Sequence, residues 1–364
     1  MMPGPMGAPA RAEAARLSAI FEATGAQPVD TSILQPADVL LDLYGEDIRA
    51  RAYVTADPLR GEMMLRPDFT VPVVRAHMDE GGDPARYCYA GEVFRRQETD
   101  PARPIEFLQA GFEIFGGDPA QADAEVFATI AEALTGLELR PSTGDIGILM
   151  AAVRGLKTSD ARKGALLRHV WRPRRFRALL DRYGARTPLP AHRKALLAAA
   201  DPFESAGPVL GRRTREEVEA RIVTLREEAE TRPISEEEME LIDMILDLRE
   251  TAPNVLSSLR DIAVDMPAIG DAVTGLTRRL DAMSARGVDV DALPFEGSFG
   301  RTTLEYYDGF VFGFQSPTRA DLPPVATGGR YDALTRQLGQ GRAVPAVGGV
   351  IRPELVVQIR EGRA

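Results

Sequence analysis

The stretch at residues 86–116, RYCYAGEVFRRQETDPARPIEFLQAGFEIFG, predicts two β-strands joined by a polar loop. The strands are expected over 87–94, with Gly91 as a bulge, and over 105–115. Alternation along the second strand places Gln109 and Glu113 on one face, about 13 Å apart at roughly 3.3 Å per residue. Polar groups on the inner face of an apolar strand are costly unless a partner or ligand meets them. The hairpin is therefore either a ligand platform or an ordinary hairpin with one solvated face.

The composition is that of a folded globular protein, and 364 residues allow two or three domains. A single cysteine, Cys88, excludes an internal disulfide and a cysteine-based metal cluster, and the three histidines lack ligand-like spacing. The chain shows neither an apolar run of about 20 residues nor a signal-peptide pattern. A net charge of −10 disfavours a long polyanion as partner. We expect a cytoplasmic protein without membrane contact, metal or cofactor.

The chain around the hairpin mixes helix and strand patterns, whereas its middle part is helical. Helices are predicted over 10–24, 68–78, 118–134, 147–153 and 331–338, and strands over 29–34, 51–55, 63–65, 138–141, 288–299, 303–314, 325–328 and 346–351. Residues 39–44 form a short apolar stretch. Strand patterns give out between about 155 and 285. We therefore predict a core made of 10–154 and 286–364, a helical insertion over 155–285, and a disordered N-terminus over 1–9.

The predicted helical insertion carries charged segments of both signs. An acidic segment covers 216–240, and Ser235 with Glu238 predicts a capping box. An arginine-rich segment covers 168–182. A solvated helix face is the favoured interpretation of these arginines, while phosphate or partner binding stays open.

Four motifs in this order resemble the class II aminoacyl-tRNA synthetases of the histidyl-tRNA synthetase branch. The hairpin resembles motif 2 through F-R-x-x followed by F-x-Q-x-G-x-E-x-F-G. The other motifs are LRPDFT at 65–70, LEYY at 304–307 and TGGRYD at 327–332. Together they span most of 11–150 and 287–354. The resemblance implies an α+β fold, with a class II synthetase-like antiparallel sheet flanked by helices, and a dimer-forming motif 1 in which Ser32 replaces the usual proline.

The same resemblance implies a histidine-binding site. A free amino acid needs acceptors for its ammonium group, an arginine fork for its carboxylate and polar groups for its side chain. The positions that match the family's histidine contacts are Asp68, Thr70, Arg95, Gln109, Glu113, Tyr306 and Tyr307. For Asp68 and Thr70, capping of the helix that follows is the alternative role.

Two cations of the synthetase site are replaced in this sequence. Thr302 stands where the family has an arginine, and Arg301 beside it is expected to face the opposite way. Motif 3 reads GGVIRPEL at 348–355, so Leu355 replaces its arginine, Arg352 is out of register and Pro353 interrupts the expected helix. These losses would remove roughly several kcal/mol of electrostatic stabilisation. No catalytic residue is therefore expected. A C-terminal anticodon-binding domain, on the order of 100 further residues, is not expected either.

An amino-acid pocket without adenylation machinery is similar to the regulatory subunits of bacterial ATP phosphoribosyltransferase. That resemblance implies a non-catalytic homodimer within a hetero-oligomer, without tRNA. It would activate the short-form catalytic subunit and bind L-histidine for feedback inhibition of the first step of histidine biosynthesis. The alternatives are a truncated histidyl-tRNA synthetase-like enzyme that adenylates an amino acid, and a scaffold with a vestigial pocket.

Overall fold

A computed structural model describes residues 7–37, 52–97, 103–204, 206–207, 211, 213–301 and 306–362. Its strands are β1 (Gln27–Pro28), β2 (Leu34–Pro36), β3 (Val54–Asp57), β4 (Gly61–Leu65), β5 (Ala85–Phe94), β6 (Glu106–Phe115), β7 (Arg140–Asp145), β8 (Arg249–Thr251), β9 (Pro294–Glu296), β10 (Phe310–Gln315), β11 (Ala326–Arg330) and β12 (Ala346–Ile351). Its α-helices are α1 (Ala8–Ala23), α2 (Thr70–Glu80), α3 (Pro119–Ala133), α4 (Ile146–Gly155), α5 (Asp160–Leu167), α6 (Pro173–Tyr183), α7 (Ala191–Ala198), α8 (Arg215–Glu230), α9 (Glu236–Asp247), α10 (Ala252–Asp265), α11 (Gly270–Ala285), α12 (Asp332–Leu338) and α13 (Pro353–Arg360).

The main sheet has nine strands in the order β1-β5-β6-β12-β11-β10-β7-β9-β8. Its pairs are antiparallel except β1 with β5 and β7 with β9, which are parallel. A second sheet has the order β2-β4-β3. The α+β class and the mainly antiparallel sheet flanked by helices are confirmed.

The quoted hairpin forms as predicted, but without a bulge. β5 and β6 pair continuously from Ala85 opposite Phe115 to Phe94 opposite Glu106, and Gly91 lies opposite Gln109 in that register. The predicted bulge is therefore wrong. Gly91 is needed for space, because a Cβ there would lie 2.9 Å from the Phe69 ring.

The two faces of β6 have different neighbours. Phe112 stacks on Phe21 of α1, with ring centroids 5.7 Å apart. Phe115 has the opposite strand parity and stacks on His77 of α2 at 4.1 Å. Glu113 shares the parity of Phe115, so it faces away from α1. The alternation predicted from the sequence is confirmed.

Residues 155–285 are mainly helical, but they also contribute a strand. β8 pairs with β9 at the edge of the main sheet, so the expectation that strands end at 155 is wrong for this short segment. α11 is joined to the core by buried ion pairs, with Arg279 Nε 2.8 Å from Asp123 Oδ2 and Nη2 2.8 Å from Asp145 Oδ2. The boundaries of the helical insertion stay a prediction.

Several smaller predictions are resolved by the described residues. The capping box of Ser235 and Glu238 is present at α9. Pro353 occupies the first position of α13, where its missing N–H costs nothing, so the expected interruption of that helix is wrong. The predicted strand at 29–34 is replaced by β1 and β2, and that at 288–299 shortens to β9.

Parts of other predictions fall outside the described residues. These are residues 1–6 of the N-terminus and the LE half of the LEYY motif, and the short apolar stretch at 39–44 lies outside the described residues too. α1 begins at Ala8, two residues before its predicted start. None of the described helices is long and apolar enough to cross a membrane.

Candidate functional site

One cavity of about 160 Å³ brings together all seven residues predicted to bind histidine. Six of them come from the loop before α2, from the hairpin and from the segment before β10. Further lining is contributed by residues that the sequence analysis did not assign to the site, among them Tyr331, Gly348 and Arg352. The motifs that resemble the synthetase family therefore converge on a single cavity.

Glu113 lines this cavity and is fully buried, with 1% of its surface exposed. Its Oε1 accepts hydrogen bonds from Tyr89 Oη at 2.8 Å and from Thr70 Oγ1 at 3.1 Å. Its Oε2 accepts a short hydrogen bond from Tyr331 Oη. All three donors are neutral hydroxyls, and no cation among the described residues forms an ion pair with this carboxylate.

Burial raises the pKa of Glu113 to about 7, although the three hydroxyl donors act in the opposite direction. The charge of Asp68 raises the same pKa further. Such a carboxylate gains most from a ligand that carries positive charge or several N–H donors.

Glu113 has room for its buried side chain because β12 approaches β6 closely through a glycine. Gly348 pairs with Glu113 across β6 and β12. A Cβ at Gly348 would lie 1.4 Å from Glu113 Oε2. Gly111 has the same role for Tyr89, whose ring would lie 2.2 Å from an added Cβ. The glycines of these strands therefore leave room for a buried glutamate and a buried tyrosine.

Neither Asp68 nor Thr70 occupies the N-cap position of α2. That position is held by Phe69, and Thr70 is the first residue of the helix. Thr70 instead donates to Glu113, and Asp68 is buried beside it with 3% of its surface exposed. The capping alternative is therefore wrong for Thr70.

Gln109 supplies a further acceptor to the cavity. Its side chain is buried, and its Oε1 has no hydrogen-bond partner among the described residues. A buried amide oxygen without a donor is costly, and a ligand N–H would remove that cost.

Two arginines line the cavity rather than one. Arg95 Nε donates to the carbonyl of Pro67 at 2.7 Å, and Arg352 donates through Nη1 to the carbonyl of Pro324. Burial lowers the pKa of Arg352 to about 10, and repulsion from Arg95 lowers it as well. Two neighbouring guanidiniums favour an anion such as a carboxylate.

Arg352 is a site residue that the sequence analysis dismissed as out of register. Arg352 is the first residue after β12. It reaches the cavity because β12 pairs with β6, which carries Gln109 and Glu113. Glu354, two residues later, turns away and accepts from the backbone N–H of Leu108 at 2.6 Å. A signal was available in the sequence: a cation close to the end of the last strand.

Tyr306 and Tyr307 form a wall of the cavity, with ring centroids 4.9 Å apart. Burial raises the pKa of Tyr307 well above its usual value, and the charge of Glu113 adds to this. The backbone carbonyl of Tyr307 accepts a hydrogen bond from Trp171 Nε1 at 3.0 Å. The single tryptophan of the chain thus lies against the site.

Arg301 lies elsewhere, as expected. It lines a separate cavity, and its Nε donates to the carbonyl of Val170 at 2.8 Å. Thr302 falls outside the described residues. In the described part of the chain, no group of three His, Cys, Asp or Glu side chains is placed to hold a metal.

Comparison with known proteins agrees with this geometry. The family model described as histidyl-tRNA synthetase matches residues 5–220 and 218–356. An ATP phosphoribosyltransferase regulatory subunit of Mesorhizobium japonicum is 32% identical over 376 residues, covering 96% of this chain and 97% of that protein. The protein of the same description from Brucella anthropi is 31% identical over 358 residues, covering 91% and 93%.

Solved structures show the same fold. An ATP phosphoribosyltransferase regulatory subunit/histidyl-tRNA synthetase from Bacillus halodurans superposes with a TM-score of 0.70 at 20% identity, covering 98% of this chain and 81% of that one. A histidine–tRNA ligase subunit from Alicyclobacillus acidocaldarius gives 0.62 at 24% identity, covering 100% and 96%. With relatives above 30% identity over nearly the whole chain, this protein belongs to the family of ATP phosphoribosyltransferase regulatory subunits, which is histidyl-tRNA synthetase-like.

Proposed function

We propose that this chain is a non-catalytic regulatory subunit that binds L-histidine in the cavity around Glu113. It would activate a short-form ATP phosphoribosyltransferase catalytic subunit and transmit feedback inhibition of the first step of histidine biosynthesis. The proposal includes a cytoplasmic homodimer within a hetero-oligomer, which does not bind tRNA. The observation that carries it is the cavity itself, which is lined by two arginines and by a carboxylate that no described cation pairs with.

The lining matches the groups of a free amino acid. Glu113, Asp68 and Gln109 offer acceptors to an ammonium group and to imidazole N–H groups, while Arg95 and Arg352 suit a carboxylate. The volume of about 160 Å³ is below the roughly 300 Å³ at which pockets for drug-sized ligands begin, which favours a single amino acid over a nucleotide.

Regulation requires that histidine binds two states of the complex with different affinity. Tyr307 connects the cavity to the predicted helical insertion. Its side chain lines the cavity, and its backbone carbonyl accepts a hydrogen bond from Trp171 of that insertion. A shift of Tyr306 and Tyr307 on ligand binding would therefore move or release Trp171, which lies outside the predicted core.

The test is calorimetric titration of L-histidine into the purified protein, followed by rate measurements with the short-form catalytic subunit. We expect saturable binding, an increase in the partner's rate when this chain is added, and a decrease on adding histidine. Trp171 fluorescence gives a second reading of binding. Absence of binding together with an unchanged partner rate would contradict the proposal.

Glu113→Gln tests whether histidine binding can be weakened without loss of activation of the catalytic subunit. Replacing the carboxylate by an amide removes a charge-assisted contact worth about 1.5–3 kcal/mol, so histidine should bind roughly tenfold to a hundredfold more weakly. Activation of the partner should persist. Glu106→Gln is the matched control, because Glu106 is exposed at the start of the same strand. Equal inhibition by histidine in both variants would place sensing elsewhere.

The competing hypotheses make different predictions. An adenylating enzyme would catalyse exchange of pyrophosphate into ATP in the presence of histidine, and we expect no exchange. Leu355 at the motif 3 arginine position supports that expectation. A scaffold with a vestigial pocket would regulate the partner identically in wild type, Glu113→Ala and Tyr306→Phe.

A further inference from the structure

A second cavity of about 440 Å³ lies where the helical segment meets the edge of the main sheet. It shares no lining residue with the cavity around Glu113. The residues that matter for its chemistry are Phe176, Arg177, Asp247, Arg249, Ser298 and Arg301. The lining thus contains three guanidinium groups and one carboxylate.

Arg301 is the buried member of the set, with 5% of its surface exposed. Its Nε donates to the carbonyl of Val170 at 2.8 Å, and its guanidinium lies 4.8 Å from the centre of the Phe176 ring. Its Nη2 is buried and has no hydrogen-bond partner among the described residues. A buried cation with a spare donor is expensive unless an anion meets it.

Arg177 and Arg249 supply accessible charge beside Arg301. Arg177 Nη1 lies 2.5 Å from Asp243 Oδ1, but the other oxygen of Asp243 is already 3.3 Å from Arg186. Arg249 Nε lies 3.5 Å from Glu296, and its side chain is 68% exposed. The ion pair of Arg249 is long and exposed and therefore weak, so this arginine can turn toward a ligand, while Arg177 adds charge beside Arg301.

The arginine-rich segment also carries exposed positive charge. Arg168 and Arg172 are exposed before α6, and Arg175 is exposed in its first turn. Burial lowers the pKa of His169, and the charges of these three arginines lower it as well. In a chain with a net charge of −10, this concentration of positive charge draws anions locally.

We propose that this second cavity binds a phosphate group, either as inorganic phosphate or as part of a phosphorylated small molecule. A phosphate dianion offers several acceptor oxygens, which suits more than one guanidinium fork. The volume leaves room for an organic part beside the phosphate. The arginine-rich segment thus contributes Arg177 to an anion site, while Arg168, Arg172 and Arg175 stay exposed to solvent. The inference does not depend on histidine binding.

The test is titration of the full chain with inorganic phosphate by calorimetry, in phosphate-free buffer at low ionic strength. We expect saturable binding that Arg249→Gln weakens about tenfold, since one charge-assisted hydrogen bond is lost. Arg249 is exposed, so this variant should fold normally. Arg174→Gln is the matched control, because Arg174 is exposed on α6 but does not line the cavity.

Three results would overturn the inference: no saturable binding at millimolar phosphate, binding unaffected by Arg249→Gln, or equal weakening by both substitutions. The last would indicate a diffuse electrostatic surface. A parallel titration with glycerol 3-phosphate separates the two sources. Tighter binding than inorganic phosphate assigns the site to phosphorylated molecules, and equal or weaker binding assigns it to the free anion.

Discussion

Two buried carboxylates beside the main sheet, Glu113 and Asp123, are held by opposite kinds of partner. Glu113 accepts hydrogen bonds from Tyr89, Thr70 and Tyr331, all of them neutral hydroxyls. Asp123 lies between two guanidiniums, with Oδ2 2.8 Å from Arg279 and Oδ1 2.7 Å from Arg330. Both carboxylates are about 1% exposed.

The two kinds of partner shift pKa values in different ways. Burial lowers the pKa of Arg279, but the charges of Asp145 and Asp123 outweigh it and raise the pKa overall. For Glu113, hydroxyl donors do not outweigh burial, and its pKa is raised to about 7. Asp123 is therefore satisfied within the protein and joins α3, α11 and β11. Glu113 retains an unmet preference for a cation, which is what a ligand site needs.

The largest effect is expected from Asp123→Asn. The change leaves Arg279 and Arg330 buried without their shared carboxylate, and breaking a buried ion pair costs about 3–5 kcal/mol. Urea denaturation should show this loss in the free energy of unfolding. Asp118→Asn is the control, because Asp118 is an exposed N-cap of α3 and asparagine caps equally well. Similar losses in both variants would mean that Asp123 does not join the elements as described.

The next largest effect is the change in the pH dependence of folding stability that Glu113→Gln should cause. The pKa of Glu113 is about 7 in the folded chain and 4.5 in its ordinary state, so the folded state holds the extra proton. The contribution of Glu113 to folding stability therefore falls as the pH rises from about 4.5 to 7, by on the order of 3 kcal/mol. Glu113→Gln should remove this fall and be the more stable variant at pH 8.

The measurement is the free energy of unfolding of both chains at pH 5 and pH 8, with Glu106→Gln as control. A difference between wild type and Glu113→Gln that stays constant with pH would show that Glu113 does not titrate in this range. A large loss of stability in Glu113→Gln would show that Glu113, like Asp123, is needed to hold the fold together. The proposed difference between the two carboxylates would then be wrong.

The smallest effect is expected from Gly348→Ala. The new Cβ would overlap Glu113 Oε2, and overpacking costs about 1–3 kcal/mol. Displacement of Glu113 should also abolish histidine binding in the proposed site. Gly275→Ala in α11 is the control, because no atom lies within 4 Å of its added Cβ and alanine favours helices by about 0.8–1 kcal/mol. Unchanged binding and stability in Gly348→Ala would contradict the close approach of β12.

Local pattern predicted much of the fold because its causes are local. Strand alternation placed Gln109 and Glu113 on one face, and that parity holds in the structure whatever packs against it. Glycine and capping signals likewise located the ends of α1 and α9, where Gly25 has a φ of +87° and Ser235 caps.

The failures share a different cause. Gly91 was assigned a bulge because a strand glycine has several possible roles, and only the packing of Phe69 selects among them. Strand β8 is three residues long and forms by pairing with β9, so no periodic signal marks it. Tyr89 and Tyr331 were not assigned to the site, since their contact with Glu113 joins positions 24 and 218 residues apart in sequence.

The amino-acid sequence by itself determined the order of the motifs, the class II synthetase-like fold and the set of polar side chains that a histidine ligand would need. These follow from residue type and short spacing, which act within one strand or helix turn. Only the tertiary structure decided which donors surround Glu113, that Arg352 enters its cavity and that Arg301 faces another. Those outcomes depend on the register of β12 against β6 and on where the helical segment meets the sheet. Register between distant strands is set by packing over the whole core, which short spacing does not encode.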